Sequence, residues 1–332
     1  MFFKLKALIR TSFVATGTVS LVRKIQLFLL DLKRSLTRHM HGDVAVQEHP
    51  PREVRVRGEK RNLTILFTHL PSINTMTEQL ESETVHILCF HHDRLMNRIF
   101  ENGGDIGSII GDAVLAAFGA SGPTTHKSLR AIEEAYAIHE VVASLRRDMC
   151  DHRANLEQAR GALTEVEQRL FYTVQQEIAV GIDGGEFFYA NHGSDARIIS
   201  KMIGDNVNAA AQLQGLASQY RVPVICSSNV KEEVEAESGA YYFLEIDQVM
   251  VTGTHTGKRV YWPMLNDDLG IAEQKEIASF EQGLKLYYEG NWASAYDYFV
   301  TCSVLPPVEE FCRRTRGRIC PKDWDGIWTL HE

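Results

Sequence analysis

The polar residues that could do chemistry fall into two groups along the chain. Asp112 follows Gly111 between two apolar runs in IGSIIGDAVLAAFG, residues 106–119, and His69 closes the β-rich run that begins at Asn62. An aspartate carboxylate and an imidazole can hold Mn²⁺ or Zn²⁺, although two ligands are too few for a closed site. A turn aspartate after glycine is also ordinary hairpin chemistry. The second group is Lys201, Asn208 and Gln212. Asn208 and Gln212 are four residues apart, so a helix would put them on one face, offering hydrogen bonds without charge. Lys201 can pair with an anion or stand solvated. The 6 cysteines form no CxxC and no CxxC…H spacing. That argues against a disulfide framework or zinc knuckle and makes a reducing cytosol the default. His91 and His92 lie in a helical pattern and read as surface residues.

These residues need elements to carry them. Leu63, Ile65 and Phe67 alternate along a strand over 62–68, and the spacing predicts a helix over 77–101 that stops at Gly103–Gly104. Two apolar runs around Gly111–Asp112 predict a hairpin. Leu129, Ile132, Ala135, Ile138 and Val142 give helical spacing over 127–148, and the charged stretch 151–173 continues helix-like. Its stripe of Leu156, Leu163, Val166 and Leu170 predicts either a short coiled arm or a solvated helix. Strand patterns return at 177–182 and 186–190, a helix follows at 206–217, then a strand at 222–226 and a strand pair over 241–261. Strands alternate with helices but hairpins also occur, which favours an α+β sandwich over a doubly wound sheet.

The ends of the chain differ from its middle. Up to His39 there are eight Lys or Arg residues and one acid, Asp31. The apolar stretches between them fall short of the ~20 residues of a membrane span. Residues 1–40 therefore read as a basic amphipathic helical segment, lying on an anionic membrane surface or packing on protein. Residues 41–57, with Pro50 and Pro51, read as a linker. Near the other end, Gly283, Tyr287, Gly290, Ala295, Phe299 and Pro307 fall at the spacing of one tetratricopeptide unit, so 270–332 reads as a helical pair and tail, with Trp324 and Trp328 capping it. A single unit buries its own face poorly and should dock on something. At 332 residues, 44% hydrophobic and net charge −8, the chain has ample core and is not a nucleic-acid binder by bulk electrostatics.

Five ordered stretches carry a resemblance. GEKRNLTILFTHL (58–70) resembles the opening strand of a class III adenylate/guanylate cyclase domain, and IIGDAVLAAFG (109–119) is similar to that family's aspartate-bearing hairpin. VGIDGGEFFYANHGS (180–194), MIGDNVNAAAQLQGLA (202–217) and DQVMVTGTHTGKRVY (247–261) are similar to its later strands and nucleotide-contacting helix. The resemblance spans roughly 58–264. The helical unit with the WDG-W ending also resembles a tail that follows bacterial membrane cyclases. This implies a ferredoxin-like βαββαβ centre with a flanking N-terminal helix and a C-terminal helical pair, in a cytoplasmic protein, with the basic segment a candidate for peripheral contact with the inner face of the membrane.

The family's chemistry is in-line attack of a ribose 3′-oxygen on an α-phosphate, with two Mg²⁺ held by two aspartates. The resemblance places Asp112 at the second aspartate and His69 at the first. The purine-reading positions fall on Ser108 and Lys201, which fit neither the adenine nor the guanine pattern. The transition-state Asn–Arg pair falls on Asn208 and Gln212, and the triphosphate lysine on Thr252 or Thr254. Family sites form between two protomers, and here both contributed halves depart from the pattern. The expectation is a pseudo-cyclase: a dimerising or regulatory module, homodimeric or paired with another cyclase-family chain, with no cofactor. The alternative is a weak or unusual-metal cyclase using Mg or Mn. A remnant of a longer membrane cyclase is a third reading.

Overall fold

The computed structural model describes residues 57–69, 81–110, 113–121, 124–194, 197–203, 205–250, 256–302 and 304–329. All belong to one compact unit, residues 55–329. The N-terminal basic segment lies outside the described residues, as do Asp112, Thr252 and Thr254.

The first half is β1 (Arg57–His69), α1 (Ser82–Glu101), β2 (Gly104–Ile110), β3 (Ala113–Phe118), α2 (Lys127–Arg160), α3 (Glu165–Gln175) and β4 (Val180–Ser194). Apart from α3, that is the βαββαβ order. Its strands lie in the order β2-β3-β1-β4 with every neighbouring pair antiparallel, as the ferredoxin-like expectation requires. The chain continues through β5 (Arg197–Ile203), α4 (Asp205–Tyr220), β6 (Val224–Ser227), α5 (Ser228–Glu237), β7 (Tyr241–Met250) and β8 (Gly257–Leu265). Beyond β4 the sheet runs β6-β8-β7, with β5 pairing onto β4.

β1 sits between β3 and β4, and residues 63–68 are buried throughout. Leu66 joins the core under α2 with Val114, Ile132, Ile138, Val180 and Val224. Thr64 and Thr68, on the same side by strand alternation, are also buried. Thr64 Oγ1 lies 2.7 Å from Ser128 Oγ, and Thr68 Oγ1 donates to the Ala179 carbonyl at 3.0 Å. Leu63, Ile65 and Phe67 are therefore only one of two buried faces.

The charged stretch after residue 150 is neither an arm nor a solvated helix. α2 runs on to Arg160 and ends at Gly161 in the left-handed conformation, φ 76°. A capping box between Thr164 and Glu167 starts α3. Leu156, Leu170, Phe171 and Val174 then fold back on Leu88, Leu145 and Met149 as a second small core. His91 belongs to this region and is only 2% exposed, not a surface residue. Its Nε2 lies 2.6 Å from Asp148 Oδ2 on α2. His152 pairs with Thr84 Oγ1 at 2.7 Å in the same helix contact.

The C-terminal helical pair is present as α6 (Ile271–Tyr288) and α7 (Trp292–Phe299), and α8 (Val308–Thr315) and the two-residue strand β9 (Trp328–Thr329) follow it. Gly283 lets the pair approach: a Cβ there would sit 2.8 Å from the Phe299 ring. The unit docks on its own chain, as its apolar face demands. β9 extends the sheet beside β7, parallel to it. Trp324 meets the Tyr287 ring edge-on at 5.1 Å and donates to the Tyr287 carbonyl at 3.1 Å.

Candidate nucleotide-site region

His69 ends β1 opposite Ala113, the first residue of β3, so it stands at the strand end. Its ring is half-buried and meets Phe67 edge-on at 5.3 Å. Ser108 lies further along β2, half-buried, where a register shift separates it from Ile106. These positions form one group, on the side of β1 that faces β3.

The second group is on the other side of β1. Lys201 lies in β5, in register with Ala190 of β4. Asn208 and Gln212 share α4: Asn208 is exposed and Gln212 is 8% exposed. α4 is pressed onto β4 by small residues, Ala209, Ala210 and Ala211, with Leu213. A Cβ on Gly181 of β4 would meet the Ala210 carbonyl at 2.1 Å, so only glycine admits the helix at this depth. Among the described residues, the two groups are held by different elements of one chain.

A metal fit can be tested on the donor set. Mg²⁺ prefers hard, charged oxygen ligands, and the imidazole of His69 supplies a neutral nitrogen. No group of three or more His, Cys, Asp or Glu residues able to hold a metal occurs among the described residues. Among the described residues of this strand end, His69 is not a hard oxygen ligand of the kind that Mg²⁺ prefers.

A different polar cleft lies at the far end of β1, with a volume of about 680 Å³, walled by Arg61, Asn62, Gly119, Lys127, Glu233 and Glu237. Its charges are matched internally. Lys127, 4% exposed, pairs with Glu233, which also accepts from Ser128 Oγ at 2.5 Å. Glu237 accepts the His126 backbone N–H at 3.1 Å and lies 3.2 Å from its Nδ1. Arg61 donates to the Ala120 carbonyl. Sequence reading missed this cluster because its members come from distant parts of the chain and form no motif.

Residues 56–264 match the family model of the adenylate and guanylate cyclase catalytic domain. The chain belongs to this family. It is 22% identical over 253 residues to the terminal-differentiation-specific adenylate cyclase of Dictyostelium discoideum, covering 75% of this chain and 11% of that protein. It is 24% identical over 204 residues to an adenylate cyclase of Anabaena cylindrica, covering 60% of this chain and 36% of that one. It thus spans a minor part of the length of these relatives. Among solved structures, the adenylyl cyclase CyaB of P. aeruginosa matches at TM-score 0.47 and 21% identity, over 64% of this chain and 100% of that one. The guanylyl cyclase Cya2 matches at TM-score 0.46 and 19% identity, over 64% of this cyclase-family chain and 97% of that one.

Proposed function

We propose that this cyclase-family domain serves intracellular signalling as a dimerising or regulatory module that does not cyclise nucleotide. The observation that carries the reading is His69 at the end of β1, in register with Ala113. A neutral imidazole there replaces one of the two carboxylates that the resemblance requires for metal. Gln212 supports it from the other group: it keeps length and hydrogen bonding but not the charge of an arginine. Loss of one such transition-state group costs on the order of 10²–10³-fold in rate. With Ser108, Lys201 and Thr252 also off the family pattern, both halves of a two-protomer site are compromised. Neither a homodimer nor pairing with an intact cyclase chain then assembles a complete site.

The test is turnover of ATP and of GTP by purified protein, with Mg²⁺ and separately with Mn²⁺. The expected outcome is no cyclic product above a protein-free blank. Product that disappears in Asp112→Ala would overturn the reading and favour the second one, a weak cyclase using an unusual metal through His69 and Asp112. The combined reversion His69→Asp, Ser108→Lys, Lys201→Asp and Gln212→Arg should gain activity if the remaining scaffold is competent.

Peripheral membrane contact through residues 1–39 is a further part of this proposal, supported by their basic charge. No helix among the described residues is long and apolar enough to cross a membrane. Co-sedimentation with anionic vesicles should be lost when residues 1–39 are deleted; unchanged binding rules that segment out.

A further inference from the structure

The C-terminal unit grips the cyclase fold at two places that bear on the candidate site. On one side α8 holds the C-terminal end of α4. Phe311 stacks on Tyr220 at 6.0 Å, Gln219 donates to Glu310 at 3.1 Å, and Arg221 pairs with Glu309. On the other side the unit holds the β7–β8 hairpin. Tyr288 donates to Glu245 at 3.1 Å and Tyr242 donates to Glu281 at 2.5 Å. β9 pairs Trp328 with Val249 and Thr329 with Met250, and Ile327 fills the space above Gly257, where a Cβ would be 2.7 Å away. Met250 and Gly257 are the two ends of the connection that carries Thr252 and Thr254.

One residue joins both grips. Arg314 of α8 is 1% exposed. It donates to Asp247 of β7 at 2.6 Å, to the Tyr220 hydroxyl of α4 at 2.7 Å, to Glu310 at 2.8 Å and to the Tyr287 hydroxyl at 3.4 Å. Tyr220 in turn donates to Asp247 at 2.5 Å. The Trp328 ring lies 3.9 Å from the guanidinium carbon and closes the network from the sheet edge. α4, β7, α6, α8 and β9 therefore converge on a single guanidinium.

We propose that the C-terminal unit is a clamp that fixes α4 and the β7–β8 hairpin as one body, with Arg314 as its pin. α4 also carries Asn208 and Gln212, in its first half. The clamp does not depend on whether the cleft turns over nucleotide, so its test is independent of the activity assay.

The test is hydrogen exchange of the full chain, comparing the parent with Arg314→Met. The expected result is at least about tenfold faster exchange both in residues 213–220 of α4 and across 241–250 and 257–265, with α1 and α2 unchanged. Acceleration confined to 292–329 would overturn the proposal, because the unit would then be an appendage. Equal acceleration everywhere, α1 and α2 included, would overturn it too, by showing general loss of stability. Should Arg314→Met fail to fold, Trp328→Leu leaves the ion pair in place and reads the same peptides against the same outcomes. Arg316→Ala, an exposed neighbour, should leave every segment unchanged.

Discussion

The two ends of α4 are built on opposite principles. At its C-terminal end, Tyr220 sits in a buried ionic network with a cation, carboxylates and hydroxyls all in contact. Burial pushes the Asp247 carboxyl upward, but Arg314 is held well above its ordinary pKa by the oxygens around it despite its own desolvation. Nearer the N-terminal end, the positions that the resemblance assigns to the transition-state pair are an exposed Asn208 and an uncharged Gln212, and the helix is held there by alanines against Gly181. Charge has been kept where it holds the fold and is absent where the resemblance calls for it to stabilise a phosphate. A buried charge is tolerated only when fully paired. That constraint acts on Asp247 whether or not the protein is an enzyme.

The contrast can be broken first at Arg314. Arg314→Met leaves Asp247 buried without its cation and should lower the local stability of the C-terminal end of α4 and of the β7–β8 hairpin by about 3–5 kcal/mol, read as an early urea transition that leaves α1 and α2 folded. Pairing it with Asp247→Asn should recover part of that loss, since the cost lies in the stranded charge. If the single variant costs no more than an exposed arginine does, the ionic end of α4 is not what holds it. The other end is tested by shape. Gly181→Ala drives a methyl into the Ala210 carbonyl and should cost about 3 kcal/mol, the upper end for overpacking, because the obstacle is backbone that no rotamer change relieves. A much smaller loss would mean that α4 can ride higher on the sheet.

These energetic contacts were not equally legible in the sequence. The hairpin was, since apolar periodicity and Gly–Asp punctuation are local signals; the βαββαβ order came with the family resemblance. The alternation of Leu63, Ile65 and Phe67 names one face of β1 but not the second, because Thr64 and Thr68 are buried by finding partners on α2 and at Ala179. His91 reads as polar and therefore exposed; it is buried because Asp148, far away in sequence, accepts it. The stripe over 156–170 was visible, but only Gly161 and the Thr164–Glu167 box turn it back onto α1 and α2. In the site region each position is an expectation carried by the resemblance, while the Arg314 network joins residues of α4, β7, α6 and α8 that no local pattern links.

The sharpest remaining comparison sets Asp247 against a second buried carboxylate whose hydrogen-bond partner is a neutral amide. Glu134 of α2 is fully buried. Asn102 Nδ2 donates to Oε2, and Oε1 has no hydrogen-bond partner. Burial raises its pKa, opposed by the Asn102 hydrogen bond and by Arg98. A carboxyl raised in the folded state binds its proton more tightly there than in the unfolded chain. Its stabilising contribution is therefore complete below the unfolded value of 4.5 and is lost as pH rises through the higher folded value. Glu134→Gln removes the ionisation, so stability should decline less over that interval in the variant than in the parent. Urea midpoints measured across that pH range for both proteins read the effect. A parent whose stability instead rises on leaving pH 4.5, with the variant lacking that rise, would show that Glu134 gains a cation in solution and that the two carboxylates are not opposites after all.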